Sequence, residues 1–139
     1  MIAMPRVLLD TDILSEVLKK KNPRVVQKAA DYLAAHQRFE LSAITRYEIM
    51  RGLKRKRAAR QLHKFEMFCQ HAVVHDITEE VLDRASDLWA QASREGQSAS
   101  DPDLIIAATA LLNGRALATG NGKHFEWIAG LRIEDWRQE

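Results

Sequence analysis

The sequence predicts a three-layer α/β/α domain around a mostly parallel central sheet of four to five strands. Three observations carry this expectation. Short apolar runs alternate with longer segments of helical periodicity. One late segment, Leu104 to Leu112, is apolar nearly all round, as a central buried helix must be. No internal repeat or low-complexity linker divides the chain, so residues 1–139 form a single domain.

Taken in order, Val7-Leu8-Leu9 reads as a buried strand running into the polar cluster Asp10-Thr11-Asp12. A helix should follow directly, capped by Asp12 or Thr11, with Ile13, Leu14, Val17 and Leu18 on one face. A second helix is expected from Pro23 to about His36, then a short strand at Phe39-Glu40-Leu41. From Ala43, the positions of Ile44, Tyr47, Ile49, Met50 and Leu53 give a helical pattern that the basic stretch Arg51 to Arg60 extends. Leu62, Phe65, Met67 and Phe68 mark another helix, and Ala72-Val73-Val74-His75 a third strand. Thr78 caps a helix carrying Leu82, Ala85, Leu88, Trp89 and Ala92 to Gly96. Asp101-Pro102-Asp103 opens the apolar helix, with Asp101 as its cap, and Asn113-Gly114 stops it. Ala116-Leu117-Ala118 is a fourth strand, and Leu131-Arg132-Ile133 a fifth.

Composition narrows the class. A chain of 139 residues with 46% hydrophobic content buries roughly two thirds of its unfolded surface, so neither disulfides nor a structural metal is required. Disordered, collagen-like and cysteine-scaffold chains are excluded. The single Cys permits no intramolecular disulfide and fits a reducing cytoplasm. No run approaches the ~18 to 20 apolar residues of a membrane helix, and Asp10 and Asp12 interrupt any secretory core. The balance of 21 Lys and Arg against 19 Asp and Glu does not suggest a polycationic coat.

Ligands in open parallel α/β sheets gather beyond the carboxyl ends of the strands. Asp10 and Asn121 stand at such ends, Glu48 lies in the helix after a strand, and Asp103 opens the buried helix. Carboxylates brought together raise each other's pKa unless a cation neutralises them. Hard oxygen donors without a nearby His or Cys pair favour Mg²⁺ or Mn²⁺, which suits activation of water against a phosphodiester. Each acid also has a plainer role. Asp10 could end a strand, Asp12 could be an N-cap, and Asp103 could answer a helix dipole. Thr45-Arg46-Tyr47-Glu48 matches the S/T-x-x-E capping box, which alone would account for Glu48. Spacing alone leaves both sets of roles open.

At these residues the chain resembles PIN-domain proteins, specifically VapC-type toxin ribonucleases. LLDTDILSEV, SAITRYEIMRGL, SDPDLIIAATALLNG and LATGNGKHFEWIAGLRIEDW occur in the family's order and together span Val7 to Trp136. The resemblance implies a parallel α/β/α sandwich whose acids bind Mg²⁺ or Mn²⁺ and hydrolyse RNA to a 5′-phosphate and a 3′-hydroxyl. Motif by motif, Asp10, Glu48 and Asp103 would be catalytic metal ligands. Asn121 falls at the family's fourth acidic position, where an amide could bind through oxygen or water and lowers the site's charge. Thr11, Asp12 and Thr119 would support the ligands, and no metal role passes to His124, where relatives often carry an acid. The resemblance further implies a VapB-like antitoxin partner and a homodimer, with Ile13, Leu14, Val17 and Leu18 offering either a dimer face or core packing.

Other features have modest readings. The basic run Arg51, Lys54, Arg55, Lys56, Arg57 and Arg60 suits either a solvated helical face or RNA contact, and Arg46 or Arg51 could meet the carboxylates. Cys69 reads as a small core residue, while Trp127 and Trp136 pack the C-terminal segment. Two rival functions differ in class. A haloacid-dehalogenase-like phosphatase would use Asp10-Thr11-Asp12 as its D-x-D start, but lacks a convincing Lys segment here. A non-catalytic PIN-like module would bind RNA or protein without cleavage, and Asn121 keeps that reading open.

Overall fold

The computed structural model describes residues 4–138. Along the chain run β1 (Val7–Leu9), α1 (Thr11–Lys19), α2 (Pro23–His36), β2 (Glu40–Ser42), α3 (Ala43–Arg55), α4 (Ala59–Gln70) and β3 (Val73–His75). Then follow α5 (Glu79–Glu95), α6 (Asp101–Leu112), β4 (Ala116–Ala118), a short 3-10 turn (Gly122–His124) and β5 (Ile133–Glu134). β1, β4 and β5 pair in that spatial order, β2 pairs with β3, and every registered pair is parallel. β2 lies alongside β1.

The strands are short, and β1 and β4 are apolar and buried on both faces because helices cover both. In β1, Val7 and Leu9 point into a cluster with Ile13, Leu14, Val17, Val25, Tyr32 and Phe65. Leu8 points the other way, into a cluster with Leu88, Leu104, Ile106 and Leu117. The period of two along an extended strand thus divides one tripeptide between two cores. α1, α2 and α4 cover one face while α5 and α6 cover the other, giving the three layers that the sequence predicts.

Between β1 and β2 a side chain serves where ladder bonds would run. The Val7 N–H donates to the Tyr32 hydroxyl at 3.1 Å, and that hydroxyl donates in turn to the Val7 carbonyl at 3.4 Å. Tyr32 is fully buried, with its ring stacked on Phe39 and tilted against Trp136. Tyr32 and Trp136 therefore fasten the first strand and the C-terminal segment to the same core.

Several boundaries differ from the sequence expectation. The cap of α1 is Asp10, whose side chain accepts the Thr11 N–H, and Asp12 sits inside the first turn. The cap of α3 is Ser42, which places Thr45 in the helix and removes the capping-box role for Glu48. The cap of α6 is Ser100, so Asp101 and Pro102 are its first two residues. In all three, the residue just beyond the strand or loop has the extended backbone a cap needs, and its oxygen reaches the free N–H groups first. The basic stretch does not continue one helix to Arg60. Arg57 turns left-handed at φ 54°, and the Ala58 N–H bonds back to the Leu53 carbonyl at 3.0 Å, a helix stop made without glycine. β2 and β5 begin one and two residues later than the apolar pattern suggests.

Tyr32→Phe keeps the ring and removes only the hydroxyl, leaving the Val7 N–H and carbonyl unanswered in a dry core. Urea denaturation should show a loss of about 1–3 kcal/mol. A variant as stable as the parent would mean that water or β2 takes over these groups.

Candidate active site

Parallel strands all end at the same edge of the sheet, and the predicted acids follow those ends or lie in the helices that start near them. Asp10 follows β1, Thr119 follows β4, and Glu48 lies within α3, which starts directly from β2. Asp103 lies in the first turn of α6. The Asp10 N–H bonds to the Ala118 carbonyl at 2.9 Å, so the β1 and β4 ends are tied at the point where the carboxylate emerges.

Asp10 is only 5% exposed. Its Oδ1 accepts the Thr11 N–H at 2.8 Å, and its Oδ2 accepts the Thr119 hydroxyl at 2.8 Å. The Thr119 oxygen in turn accepts the Asn121 N–H at 3.0 Å. Burial nevertheless pushes the Asp10 carboxyl up to about 6, with the Asp12 and Asp103 charges adding to the rise against these hydrogen bonds. No Lys, Arg or His pairs with it among the described residues.

The other buried acid shows what is missing. Glu40 is 4% exposed, and it is met by Arg115 Nε at 3.0 Å and His75 Nε2 at 2.7 Å. One buried carboxylate carries its countercharge within the fold, and the other does not.

Glu48 is fixed by the Thr11 hydroxyl, which donates to Oε1 at 3.0 Å and lies 3.3 Å from Thr45 Oγ1. Arg51 reaches Glu48 Oε2 at 4.0 Å while covering the ring of exposed Tyr47. Asp103 has His124 Nδ1 3.5 Å from its Oδ2. Asp12 uses Oδ1 to accept the Ile13 N–H at 2.7 Å and Oδ2 to accept the Gly120 N–H at 2.8 Å. Asn121 is exposed beside the turn.

Thr11, Asp12 and Thr119 thus sit as bridges between elements, with Thr11 joining the start of α1 to Glu48 and Thr119 joining the end of β4 to Asp10. Sequence reasoning named His124 without its contact to Asp103, and missed Arg137, whose Nη2 donates to the Gly120 carbonyl at 2.9 Å. No signal in the chain could have linked Arg137 to a turn 17 residues earlier. Burial pushes the Cys69 thiol up, and the charge of neighbouring Arg46 works against that rise.

Among the described residues, no group of three or more His, Cys, Asp or Glu side chains is arranged to hold a metal ion. The donor chemistry still fits a hard divalent cation. The acids offer only carboxylate oxygens, and their charges raise the proton affinity of a buried Asp10 that has no cationic partner.

The PIN-domain family matches residues 7–131. The chain belongs to this family. It is 30% identical over 132 residues to the ribonuclease VapC1 of Methanocaldococcus jannaschii, covering 94% of this chain and 88% of that relative. It is 27% identical over 134 residues to the tRNA(fMet)-specific endonuclease VapC of Shigella flexneri, covering 96% and 99% of the two chains. Among solved structures it is similar to a DNA-bound VapBC from Salmonella typhimurium, at a TM-score of 0.84 and 28% identity, covering 96% of this chain and 99% of that one. Membership assigns the Asp10-Thr11-Asp12 start to a PIN domain, of the VapC type, rather than to a phosphatase.

The Asp10 geometry sets a pH dependence. Its pKa in the fold lies above the ordinary value of 3.8, at about 6. The stability it contributes is therefore complete below about pH 4 and is lost as pH rises through about 6. In EDTA-treated protein this loss should be on the order of 3 kcal/mol by urea denaturation. Asp10→Asn keeps the capping oxygen for the Thr11 N–H, puts an amide NH₂ where Oδ2 accepts the Thr119 hydroxyl, and cannot ionise. Its stability should pull ahead of the parent's between pH 4 and 7, whereas parallel pH curves would mean that Asp10 ionises without penalty.

Proposed function

We propose that this chain is a Mg²⁺- or Mn²⁺-dependent endoribonuclease, acting in the cytoplasm as the toxin of a VapBC-like pair. The observation that carries the reading is the buried, uncompensated Asp10 at the end of β1, in a chain of the PIN-domain family. The names of its relatives support the same reading, since they are ribonucleases and one is specific for tRNA(fMet). The similar VapBC structure supports a VapB-like antitoxin as partner. Among the described residues no helix is long and apolar enough to cross a membrane. A homodimer completes the proposal.

Asp10, Glu48 and Asp103 would hold the ion, and Asn121 could add an amide oxygen. When bound, Mg²⁺ or Mn²⁺ would neutralise these acids, lower the pKa of water and offset charge on the phosphoryl oxygens. The chain's own contribution is positioning. The Thr11 hydroxyl anchors one oxygen of Glu48, and the Thr11 N–H and Thr119 hydroxyl anchor the two oxygens of Asp10, a restraint that keeps negative charge aimed at the site. The ends of β1 and β4 and the start of α6 bring Asp10 and Asp103 near enough for their charges to interact. In-line attack of water on an RNA phosphodiester would then leave a 5′-phosphate and a 3′-hydroxyl.

Cleavage of RNA should require Mg²⁺ or Mn²⁺ and stop with EDTA. Because Ser42 rather than Thr45 caps α3, Glu48→Gln should fold and melt much like the parent. Supporting partners in metal sites commonly contribute ~10- to 100-fold, so loss of a direct ligand should lower cleavage by about a hundredfold or more. A fully active Glu48→Gln protein would remove Glu48 from the ligand set. RNA binding with no cleavage under either metal would favour a non-catalytic module.

A further inference from the structure

The turn that carries Thr119 and Asn121 is held from two sides. Asp12 Oδ2 accepts the Gly120 N–H at 2.8 Å, and Arg137 Nη2 donates to the Gly120 carbonyl at 2.9 Å. Both backbone groups of one residue are thus gripped by charged side chains from distant parts of the chain.

Neither grip is loose. Asp12 is oriented through its other oxygen, which accepts the Ile13 N–H at 2.7 Å. Asp135 holds the Arg137 guanidinium in a two-point fork, at 3.1 Å to Nε and 3.0 Å to Nη2. Trp136, 1% exposed, is buried between these two residues in sequence and anchors their backbone against Tyr32 and Phe39. Gly120 is where the two grips meet. A Cβ there would run into the guanidinium and stand 2.7 Å from Asp12 Oδ2. Its φ is not positive, so glycine serves close approach here rather than an unusual backbone.

The gripped residue lies between the two that matter for the acids. Thr119 donates to Asp10 Oδ2, and the Asn121 N–H donates to Thr119 Oγ1. We propose that Arg137 and Asp12 form a clamp on the Gly120 peptide that positions Thr119 and Asn121 against Asp10, which makes Arg137 a positioning residue of the acidic site. The inference rests on the reading of Asp10 and Asn121 as metal-site residues. Arg137 keeps 42% of its side chain exposed, and exposed ion pairs of this kind add little to global stability. A clamp and a mere fastening of the C-terminal segment therefore predict different things.

The test compares the parent with Arg137→Ala, Gly120→Ala and the double variant in the full chain. It reads amide exchange at Gly120 and Asn121 by NMR, Mn²⁺ affinity by calorimetry, and thermal stability. Either single variant should leave the melting temperature within a few degrees, speed exchange at both amides, and weaken Mn²⁺ binding by about tenfold. The double variant should be no worse than Gly120→Ala alone, because the added Cβ already displaces the guanidinium that Arg137→Ala removes. Unchanged exchange in Arg137→Ala, or additive losses in the double variant, would overturn the clamp. Asp10→Asn separates the clamp from the metal reading. If it leaves the parent's Mn²⁺ affinity intact, the metal reading has failed, and the exchange rates alone decide the clamp: faster exchange upholds it and unchanged exchange refutes it.

Discussion

A carboxylate buried to 5% exposure with hydrogen bonds but no cation is the constraint around which this fold is arranged. Two donors, the Thr11 N–H and the Thr119 hydroxyl, ease its charge without cancelling it. Asp12 and Asp103 then add negative potential from either side. Left alone, such a group holds its proton to about pH 6 and costs the fold stability when it gives that proton up. Glu40, equally buried, is met by Arg115 and His75. The fold is thus able to pair a buried acid, and at the end of β1 it pairs none.

The architecture explains how the charge comes to that place. Short parallel strands end together, and α1 and α6 begin at residues beside that edge. The free N–H groups and dipoles of helix N-termini make such positions tolerant of carboxylates. Asp10 serves as the cap of α1, and Asp103 occupies the first turn of α6. One residue therefore serves folding while holding the charge that the proposed chemistry needs. Asp10 ends the strand, caps the helix and supplies the central charge, so the plainer roles for it are compatible with the functional one.

The layers and the strand cores were legible because apolar periodicity survives in short segments. Ala116–Ala118 and Pro23–His36 have the bounds that their residues suggest. Caps were less legible. Asp12, Thr45 and Asp101 are all good capping residues, but each lies one to three positions beyond the residue whose extended backbone makes the cap. The break at Arg57 was hidden because a left-handed arginine carries no glycine signal. At the site, the acids and the supports Thr11, Asp12 and Thr119 stood out by motif, while the contacts of His124 and Arg137 did not. His124 reaches Asp103 across space, and Arg137 reaches Gly120 only because Trp136 and Asp135 hold it there. Contacts of this kind depend on tertiary packing, which leaves no local pattern in the chain.

The central claim is that Asp10 retains its proton abnormally until a divalent cation takes its place. Carboxyl-carbon NMR titration of Asp10, in metal-free protein and again with saturating Mg²⁺, measures this directly. The account predicts a midpoint near 6 without metal, falling below the titrated range when Mg²⁺ is added. A midpoint near the ordinary 3.8 in metal-free protein, or one that Mg²⁺ leaves unmoved, would contradict it.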